Sequence, residues 1–264
     1  MAMNRWAALT ILFIGAMVAC SFWTASSAWA LDSTHIRTQW LVMEAILLSL
    51  CIGAGYLVNH RPDGVFINSD NRISLERAQW IAWLAVLLGG FYIESIWNVA
   101  VGWEDLQKGS FPDMQPELYA LLGIVSGSVV VSNVIVDGKK NAPNAPPPPQ
   151  NPQIGTPTQK GLIDQNVSPS EASWADLYLG EEVANRNVVD VSRLQKLIIT
   201  ILLVATYVQM IWTHLGADLV NAEGKVAKQA HFGHMPLVGQ SFIWLLGISH
   251  AAYMAYKATP KTAS

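Results

Sequence analysis

Long apolar runs separated by short polar segments dominate the chain. Five such runs cover residues 39–58, 79–101, 117–136, 194–215 and 237–256. Each has about 20 residues, which is enough for a helix to cross a hydrocarbon core of about 30 Å. The runs lack the alternation of polar and apolar positions that membrane barrel strands show. The pattern therefore predicts an all-α, polytopic helical membrane protein.

The last four runs form two similar helical hairpins. Each hairpin opens on Arg-x-Gln, carries an Ile-Trp pair, and closes on a run containing Leu-Leu-Gly-Ile. The first has Arg77-Ala78-Gln79, Ile96-Trp97 and Leu121-Leu122-Gly123-Ile124, and the second has Arg193-Leu194-Gln195, Ile211-Trp212 and Leu245-Leu246-Gly247-Ile248. Because a two-span unit repeats in the same orientation, we expect the copies to be related by an axis along the membrane normal.

The repeat and the polar segments divide the chain. We expect a signal peptide or first transmembrane helix at 1–30, a transmembrane helix with its loop at 31–73, the first hairpin copy at 74–136, a proline-rich linker at 137–173, and an interfacial segment with the second copy at 174–264. Three interpretations of residues 1–30 stay open: cleavage after Ala30 in Ala28-Trp29-Ala30, an uncleaved helix, or lipidation of Cys20 in an imperfect lipobox.

The distribution of basic residues indicates the orientation. The loop at 59–78, the linker with its flanks, and the C-terminal tail are rich in Lys and Arg, whereas the loop at 102–116 is acidic. Basic residues accumulate on the cytoplasmic side of membrane proteins. The sequence therefore predicts a multi-pass protein of the bacterial inner membrane with the linker and the C-terminus in the cytoplasm.

The linker is the predicted site for a protein partner. Residues 141–152 are rich in proline and cannot form a packed core, so we expect an extended, partly stiff spacer. Residues 174–183 are aromatic and acidic and are expected to lie against the membrane face. The expected partners are the lipid bilayer, further copies of the chain or other membrane subunits, and a cytoplasmic protein that binds within 141–183.

Composition excludes several functions. The net charge is −3 and no basic stripe is present, so no nucleic-acid partner is expected. Cys20 and Cys51 lie in apolar runs, and His231 and His234 have no acidic or thiol partner at zinc-like spacing, so no metal site is predicted. Motifs of catalysis or nucleotide binding are absent, and neither enzyme activity nor a cofactor is predicted.

Two carboxylates inside the runs are the sharpest candidates for chemistry. Counted at 1.5 Å per residue, Glu44 lies about 8 Å and Glu94 about 11 Å from the outer end of its run. An intramembrane carboxylate usually faces the bundle interior or a water-filled cavity. The pair therefore predicts a cation or proton site near the outer surface, or alternatively protonated groups that join two helices.

His250 and Ser126 are the other candidates for an ion pathway. They follow the Leu-Leu-Gly-Ile motif at corresponding places in the two copies. A histidine inside a span can join a proton relay, and the alternative is a hydrogen bond to a neighbouring helix.

Small and polar residues of the repeat have structural interpretations. A small-x-x-x-small spacing predicts close helix packing, at Gly123, Gly127, Gly247 and Ala251. The Arg-x-Gln motifs are expected to anchor the helices at the interface, and their alternative role is a cytoplasmic gate: Arg77, Gln79, Arg193 and Gln195.

The second copy resembles a known family. The residues that carry the likeness are Gly180-Glu181-Glu182, Asp190-Val191-Ser192-Arg193-Leu194-Gln195, Leu245-Leu246-Gly247-Ile248-Ser249-His250 and Tyr253. They are similar to an uncharacterised family of bacterial inner-membrane proteins with an R-x-Q helix start and an L-L-G-I-S close. The first copy departs from this pattern at Val125, and the resemblance implies an architecture and no mechanism.

The function that these patterns favour is an ion-conducting or ion-binding helical assembly. The duplication and the matched depths of the two carboxylates are its basis. The alternative is a membrane anchor or signalling scaffold that recruits a cytoplasmic partner through the linker.

Overall fold

The chain is mostly helical in the computed structural model, which describes residues 4–30, 32–102, 111–142, 153–155, 158–217 and 231–261. The helices are α1 (Arg5–Trp29), α2 (Ile36–Asn59), α3 (Leu75–Val101), α4 (Pro116–Lys140), α5 (Val191–Ala217) and α6 (Gln240–Ala258). Strands β1 (Thr158–Lys160) and β2 (Ile163–Gln165) pair antiparallel, and short 3₁₀ helices occur at Gly64–Phe66, Pro169–Glu171 and Trp174–Leu177. The predicted helical class is confirmed, with a small sheet in addition.

Five helices, α1 to α5, are long and apolar enough to cross a membrane. Four of them cover predicted runs, and α1 covers the apolar part of residues 1–30. The run at 237–256 was predicted as a fifth span, but α6 begins only at Gln240 and carries His250 and Lys257. It is not among the described helices that are long and apolar enough to cross a membrane. Length and composition together indicate a multi-pass membrane protein.

Two compact units make up the chain. Unit 1 comprises Met1–Gly53, Trp83–Tyr119 and Leu203–Gly239, and unit 2 comprises Ala54–Ala82, Ala120–Leu202 and Gln240–Ser264. Each unit contains segments from both predicted hairpin copies. The repeat and the domain boundaries drawn from it stay predictions.

Aromatic side chains form the core of unit 1. Trp40, Trp83 and Tyr207 are buried. The ring centroids of Trp83 and Tyr207 lie 6.2 Å apart, and those of Trp40 and Trp212 lie 6.4 Å apart. Aromatic pairs at such distances contribute about 0.5–1.5 kcal/mol beyond the area they bury. The contacts fix the unit 1 parts of α3 and α5, which carry Glu94 and His214.

Helix α1 packs inside unit 1 through small and polar side chains. Cys20, Thr24, Ser27 and Ala28 are buried. The Gln39 side chain on α2 donates a hydrogen bond to Ser27 Oγ at 2.8 Å. Residues 5–29 thus contribute a packed helix to the unit, and the cleavage and lipidation interpretations stay predictions.

Unit 2 contains a folded cap, made of residues 60–74 and 158–190. The Arg61 guanidinium joins its two parts by donating to the carbonyl oxygens of Pro169, Ser170 and Ala172 at 2.8–3.1 Å. A small apolar cluster that includes Ile67, Ile73 and Ala172 lies beside it. The predicted proline-rich spacer falls largely on residues 143–152, which lie outside the described residues, whereas residues 158–173 are folded.

A tight turn attaches the cap to α4. Gly161 has φ of +62°, which favours glycine, and a side chain there would overlap the carbonyl oxygens of Lys139 and Lys140 at the end of α4. The next amide, of Leu162, donates to the Lys139 carbonyl at 3.1 Å. The turn between β1 and β2 therefore gives this carbonyl, in the last turn of α4, a hydrogen bond in addition to the one from the Ala142 amide.

Candidate functional site

Buried charges of unit 2 form the candidate site. We call Glu76, Glu181, Arg193, Lys196 and Lys257 the ionic cluster. Glu76, Arg193, Lys196 and Lys257 are at most 6% exposed, and the Glu181 side chain is 17% exposed. Charges this well buried are costly unless they are paired, and in membrane helices they commonly mark a functional site.

Lys257 is the centre of the cluster. Its ammonium lies 3.2 Å from a carboxylate oxygen of Glu76 on α3 and also contacts the Glu181 carboxylate in the cap. It donates a hydrogen bond to Ser132 Oγ on α4 at 2.8 Å. Ser74 Oγ, just before α3, donates to the second Glu76 oxygen at 3.0 Å. One ammonium thereby connects three helices and the cap.

Arg193 completes the pairing at the start of α5. Its guanidinium contacts the Glu181 carboxylate and donates to the Asp176 carbonyl at 2.6 Å and to Tyr253 Oη at 3.4 Å. Asp190 caps the helix by accepting from the backbone N–H of Ser192 and Arg193. This N-terminal capping by Asp190 fixes where α5 begins and so directs Arg193 towards the interior of unit 2.

The charge state of Glu181 follows from this geometry. Burial opposes ionisation of its carboxyl, but the nearby cations Arg193 and Lys257 outweigh burial and lower its pKa to about 2. Glu181 is therefore a carboxylate over the whole physiological range. It neutralises two cations that the cap and the helix ends enclose.

Further ion pairs surround the cluster. Lys139 at the end of α4 lies 2.7 Å from Glu182 and donates to the Thr259 carbonyl at 3.2 Å. Arg72 bridges Asp164 at 3.3 Å and Asp176 at 3.2 Å. Burial raises the pKa of Asp164, although Arg72 opposes this effect. The cap is thus held by charge pairs rather than by a large apolar core.

A polar cavity of about 390 Å³ borders the cluster. Glu76, Glu181 and Lys257 line it, together with Asp70, Ser74, Arg77, Ser132, Asn133, Asp137, Lys140 and others, and Val136 is its apolar member. Asp70 pairs with Lys140 at 2.7 Å. Ligand pockets in proteins typically enclose about 300–1,000 Å³, and a lining this polar suits a small charged or hydrated solute.

Lys196 differs from the other members of the cluster. It is 0% exposed, and its ammonium has no hydrogen-bond partner among the described residues. It lies 4.4 Å from the centroid of the Tyr253 ring. A desolvated cation–π contact contributes about 2 kcal/mol, whereas burying an ion costs several kcal/mol. The aromatic ring alone does not offset that cost.

The two Arg-x-Gln motifs occupy different surroundings. In the first, Arg77 is exposed and donates to the Ile67 carbonyl at 2.7 Å, while Gln79 is buried and donates to Thr200 Oγ1 at 2.6 Å. In the second, Arg193 is buried in the ionic cluster and Gln195 is exposed. Interface anchoring stays a prediction for all four residues.

His250 and Ser126 belong to separate contacts. His250 is buried, and its Nδ1 pairs with Ser128 Oγ on α4. Ser126 accepts from the Trp80 indole at 3.1 Å. Both residues lie in unit 2, and their side chains form hydrogen bonds to different partners. An ion pathway through these residues stays a prediction. The hydrogen bond between His250 and Ser128 supports the alternative, in which His250 joins α6 to α4.

The predicted small-residue ridge makes few close contacts. A Cβ placed on Gly123 or Gly127 would meet no atom within 4 Å among the described residues. On Gly247 it would lie 3.6 Å from Ile124 Cδ1, an ordinary contact. Ala251 is exposed. Helix packing at these positions therefore stays a prediction.

Glu44 and Glu94 both lie in unit 1, against different neighbours. The Glu44 carboxylate lies against Gly89 of α3, where a side chain would overlap it. Glu94 is fully buried, with one carboxylate oxygen 3.6 Å from His214 Nε2. The His214 ring in turn stacks with His234 at 5.9 Å. Gly89 and Glu94 are separated by about 7.5 Å of helical rise, and the shared site stays a prediction.

Four members of the ionic cluster were not predicted as site residues: Glu76, Glu181, Lys196 and Lys257. Glu76 and Lys257 lie in the first and last turns of their helices, where charges of these signs are common for another reason, the helix dipole. Lys196 carried a signal, because it is an ionisable residue inside the predicted run 194–215.

Comparison with protein-family models, with curated proteins and with solved structures gives no match. The resemblance of the second copy to an inner-membrane family therefore stays an expectation.

Proposed function

We propose that the chain is a multi-pass membrane protein that binds a small ion in the polar cavity of unit 2 and conducts it. The observation that carries this proposal is the cavity of about 390 Å³ with Glu76, Glu181 and Lys257 in its wall. These side chains belong to, or directly contact, long apolar helices.

The energetics support a binding role. A membrane helix gains nothing from a buried charge as such, because the surrounding hydrocarbon already favours apolar side chains. An assembly that needed only stability would do as well with apolar residues in place of the pairs Lys257–Glu76 and Arg193–Glu181. Polar groups on the cavity wall replace part of the hydration shell of an entering ion.

Ion flux tests the proposal. The full chain, reconstituted in proteoliposomes, is expected to carry at least one of Na⁺, K⁺, H⁺ and Cl⁻ faster than protein-free vesicles. The double variant Glu76→Gln with Lys257→Met removes one charge of each sign. It should fold, because the two charges of the Lys257–Glu76 pair are removed together and neither is left buried without the other. We expect it to lose about tenfold or more of the flux.

Lys160→Gln is the matched control. Lys160 is an exposed cap residue in the same unit and belongs neither to the ionic cluster nor to the cavity lining. The control should therefore keep the full flux. No flux of any of the four ions in the wild type, or full flux in the double variant, would contradict the proposal.

We also propose that the protein lies in the inner membrane, with the cap in the cytoplasm, and that several copies assemble.

The scaffold is the second candidate function. Trp174, Tyr178, Val188 and Val189 are exposed apolar side chains in the cap, at 37–59% exposure, and such groups suit a protein partner or the membrane interface. A photo-crosslinking residue in place of Trp174 distinguishes a protein partner from the membrane interface in cells. Adducts with a protein support the scaffold, whereas adducts with lipid alone exclude it at this surface.

A further inference from the structure

We infer that Lys196 binds a small monovalent anion, of the halide class, inside unit 2. This inference names the ion of the proposed function and rests on it for the route by which the ion arrives. Its basis is a buried ammonium that the chain leaves without an acceptor, in a cluster that has more cations than carboxylates.

The charges of the cluster do not balance. Three cations, Arg193, Lys196 and Lys257, face two carboxylates, Glu76 and Glu181. Lys257 and Arg193 contact those carboxylates directly, at 3.2 Å or less. Lys196 is the third cation, and no acceptor lies within hydrogen-bonding distance of it among the described residues. One negative charge is missing beside a fully buried ammonium.

The charged groups that act most strongly on Lys196 are members of the cluster. Glu76 on α3, Glu181 in the cap, and Lys257 and Arg193 are the charged groups that act on it. The aromatic face of Tyr253 covers the ammonium at 4.4 Å. The Asp190 carboxylate accepts hydrogen bonds from the first turn of α5. No second carboxylate is therefore left for Lys196 within the cluster.

Two polar side chains of α6, the helix whose Tyr253 ring covers Lys196, also have atoms without partners. In the described part of unit 2, the side-chain atoms Ser249 Oγ and His250 Nε2 are buried without a hydrogen bond. Ser249 and Tyr253 are four residues apart on α6, and His250 and Tyr253 are three apart, so both lie on the helix face that meets Lys196. A hydroxyl that donates to His250 Nδ1, as Ser128 is placed to do, leaves the ring proton on Nε2.

This set of groups fits an anion better than a cation. An ammonium, a hydroxyl and an imidazole N–H all donate, and a halide accepts from several donors at once. Gln79 Oε1 is a further buried atom without a partner and is an acceptor, but the Gln79 amide group is held on Thr200 at 2.6 Å. Of the three donors, only the Lys196 ammonium is charged, so one negative charge on the ligand is enough to neutralise the site.

Thermal stability in detergent tests the inference without any measurement of flux. The purified full chain is titrated with sodium chloride against sodium gluconate at constant ionic strength. A ligand that binds only the folded state raises Tm in a saturable way. We expect this for chloride and for bromide in the wild type, and an apparent chloride affinity lower by about tenfold or more in Lys196→Met.

Two further variants complete the experiment. Ser249→Ala removes one donor and should weaken chloride binding less than Lys196→Met. Lys160→Gln changes an exposed side chain outside the cluster and should bind chloride as the wild type does. Lys196→Met is expected to fold, because methionine replaces a buried cation with an apolar chain of similar length, and its Tm in gluconate checks this directly.

The outcomes separate the inference from the proposed function. A wild type whose Tm does not depend on chloride or bromide, or a Lys196→Met variant that binds chloride normally, overturns the anion site. Cation flux without chloride binding leaves the proposed function standing and the inference wrong. If chloride binding requires Lys196 but the vesicles conduct no ion, the anion site stands and the proposed function is wrong.

Discussion

Replacing Glu181 by glutamine isolates the energy of the ionic cluster. The substitution keeps the size of the side chain and removes the charge that Arg193 and Lys257 share. The pKa of Glu181 lies at about 2, against an ordinary value of 4.5. At about 1.4 kcal/mol for each pKa unit, the ionised carboxylate stabilises the folded state by about 3 kcal/mol. Removing one partner of a buried pair costs about 3–5 kcal/mol in other proteins, which agrees.

The pH dependence of this effect has a fixed sign. Because the folded state lowers the pKa of Glu181, its contribution is complete above pH 4.5 and is lost as the pH falls from 4.5 to about 2. The wild type and Glu181→Gln should therefore differ by about 3 kcal/mol at pH 7. The difference should shrink steadily below pH 4.5.

Reversible denaturant unfolding in detergent micelles, followed by tryptophan fluorescence, measures both quantities. Asp137→Asn is the matched control, since Asp137 is exposed and forms no ion pair among the described residues. Its free energy of unfolding should change by less than about 0.5 kcal/mol. A difference below about 1 kcal/mol for Glu181→Gln at pH 7, or one that stays constant down to pH 3, would refute the reasoning.

Three other predictions concern topology, packing and the carboxylates. A cysteine introduced at Lys160 should not react with a membrane-impermeant maleimide from the periplasmic side of intact cells, and labelling there would reverse the orientation. The leucine side chain of Gly247→Leu must enter the space beside Ile124, whereas that of Gly239→Leu faces open space. Gly247→Leu should therefore lower Tm in detergent by more than Gly239→Leu. Equal values would count against helix packing at Gly247. The double variant Glu44→Gln with Glu94→Gln should fold and lose any cation- or pH-dependent ion flux, and unchanged dependence would exclude a shared site.

The positions of the helices could be predicted because long apolar runs determine where they lie in the chain. The runs at 79–101 and 194–215 became α3 (Leu75–Val101) and α5 (Val191–Ala217), each longer by a few residues at its start. The added turns are polar and depend on local caps, such as Asp190, which accepts hydrogen bonds from the first amides of α5. Apolar periodicity does not report such turns.

The ionic cluster could not be predicted in the same way. Lys257 and Glu76 are 181 residues apart in the chain, and no local pattern connects them. The two Arg-x-Gln motifs show the limit of sequence similarity. Arg193 is buried beside Glu181, whereas Arg77 is exposed, because the cap supplies a carboxylate to one helix start and only a carbonyl to the other.

The position of α6 after α3, α4 and α5 in the chain has a consequence for biosynthesis. This helix is not among the described helices that are long and apolar enough to cross a membrane, and it carries buried Ser249, His250, Tyr253 and Lys257. The partners of its polar groups on α3, α4 and α5 are all synthesised before it. Membrane insertion of a helix with such residues is unfavourable in isolation. We therefore expect α6 to insert after α3, α4 and α5 have been synthesised. A chain truncated before residue 240 would leave Glu76 without the Lys257 ammonium and would expose this buried carboxylate to cellular quality control.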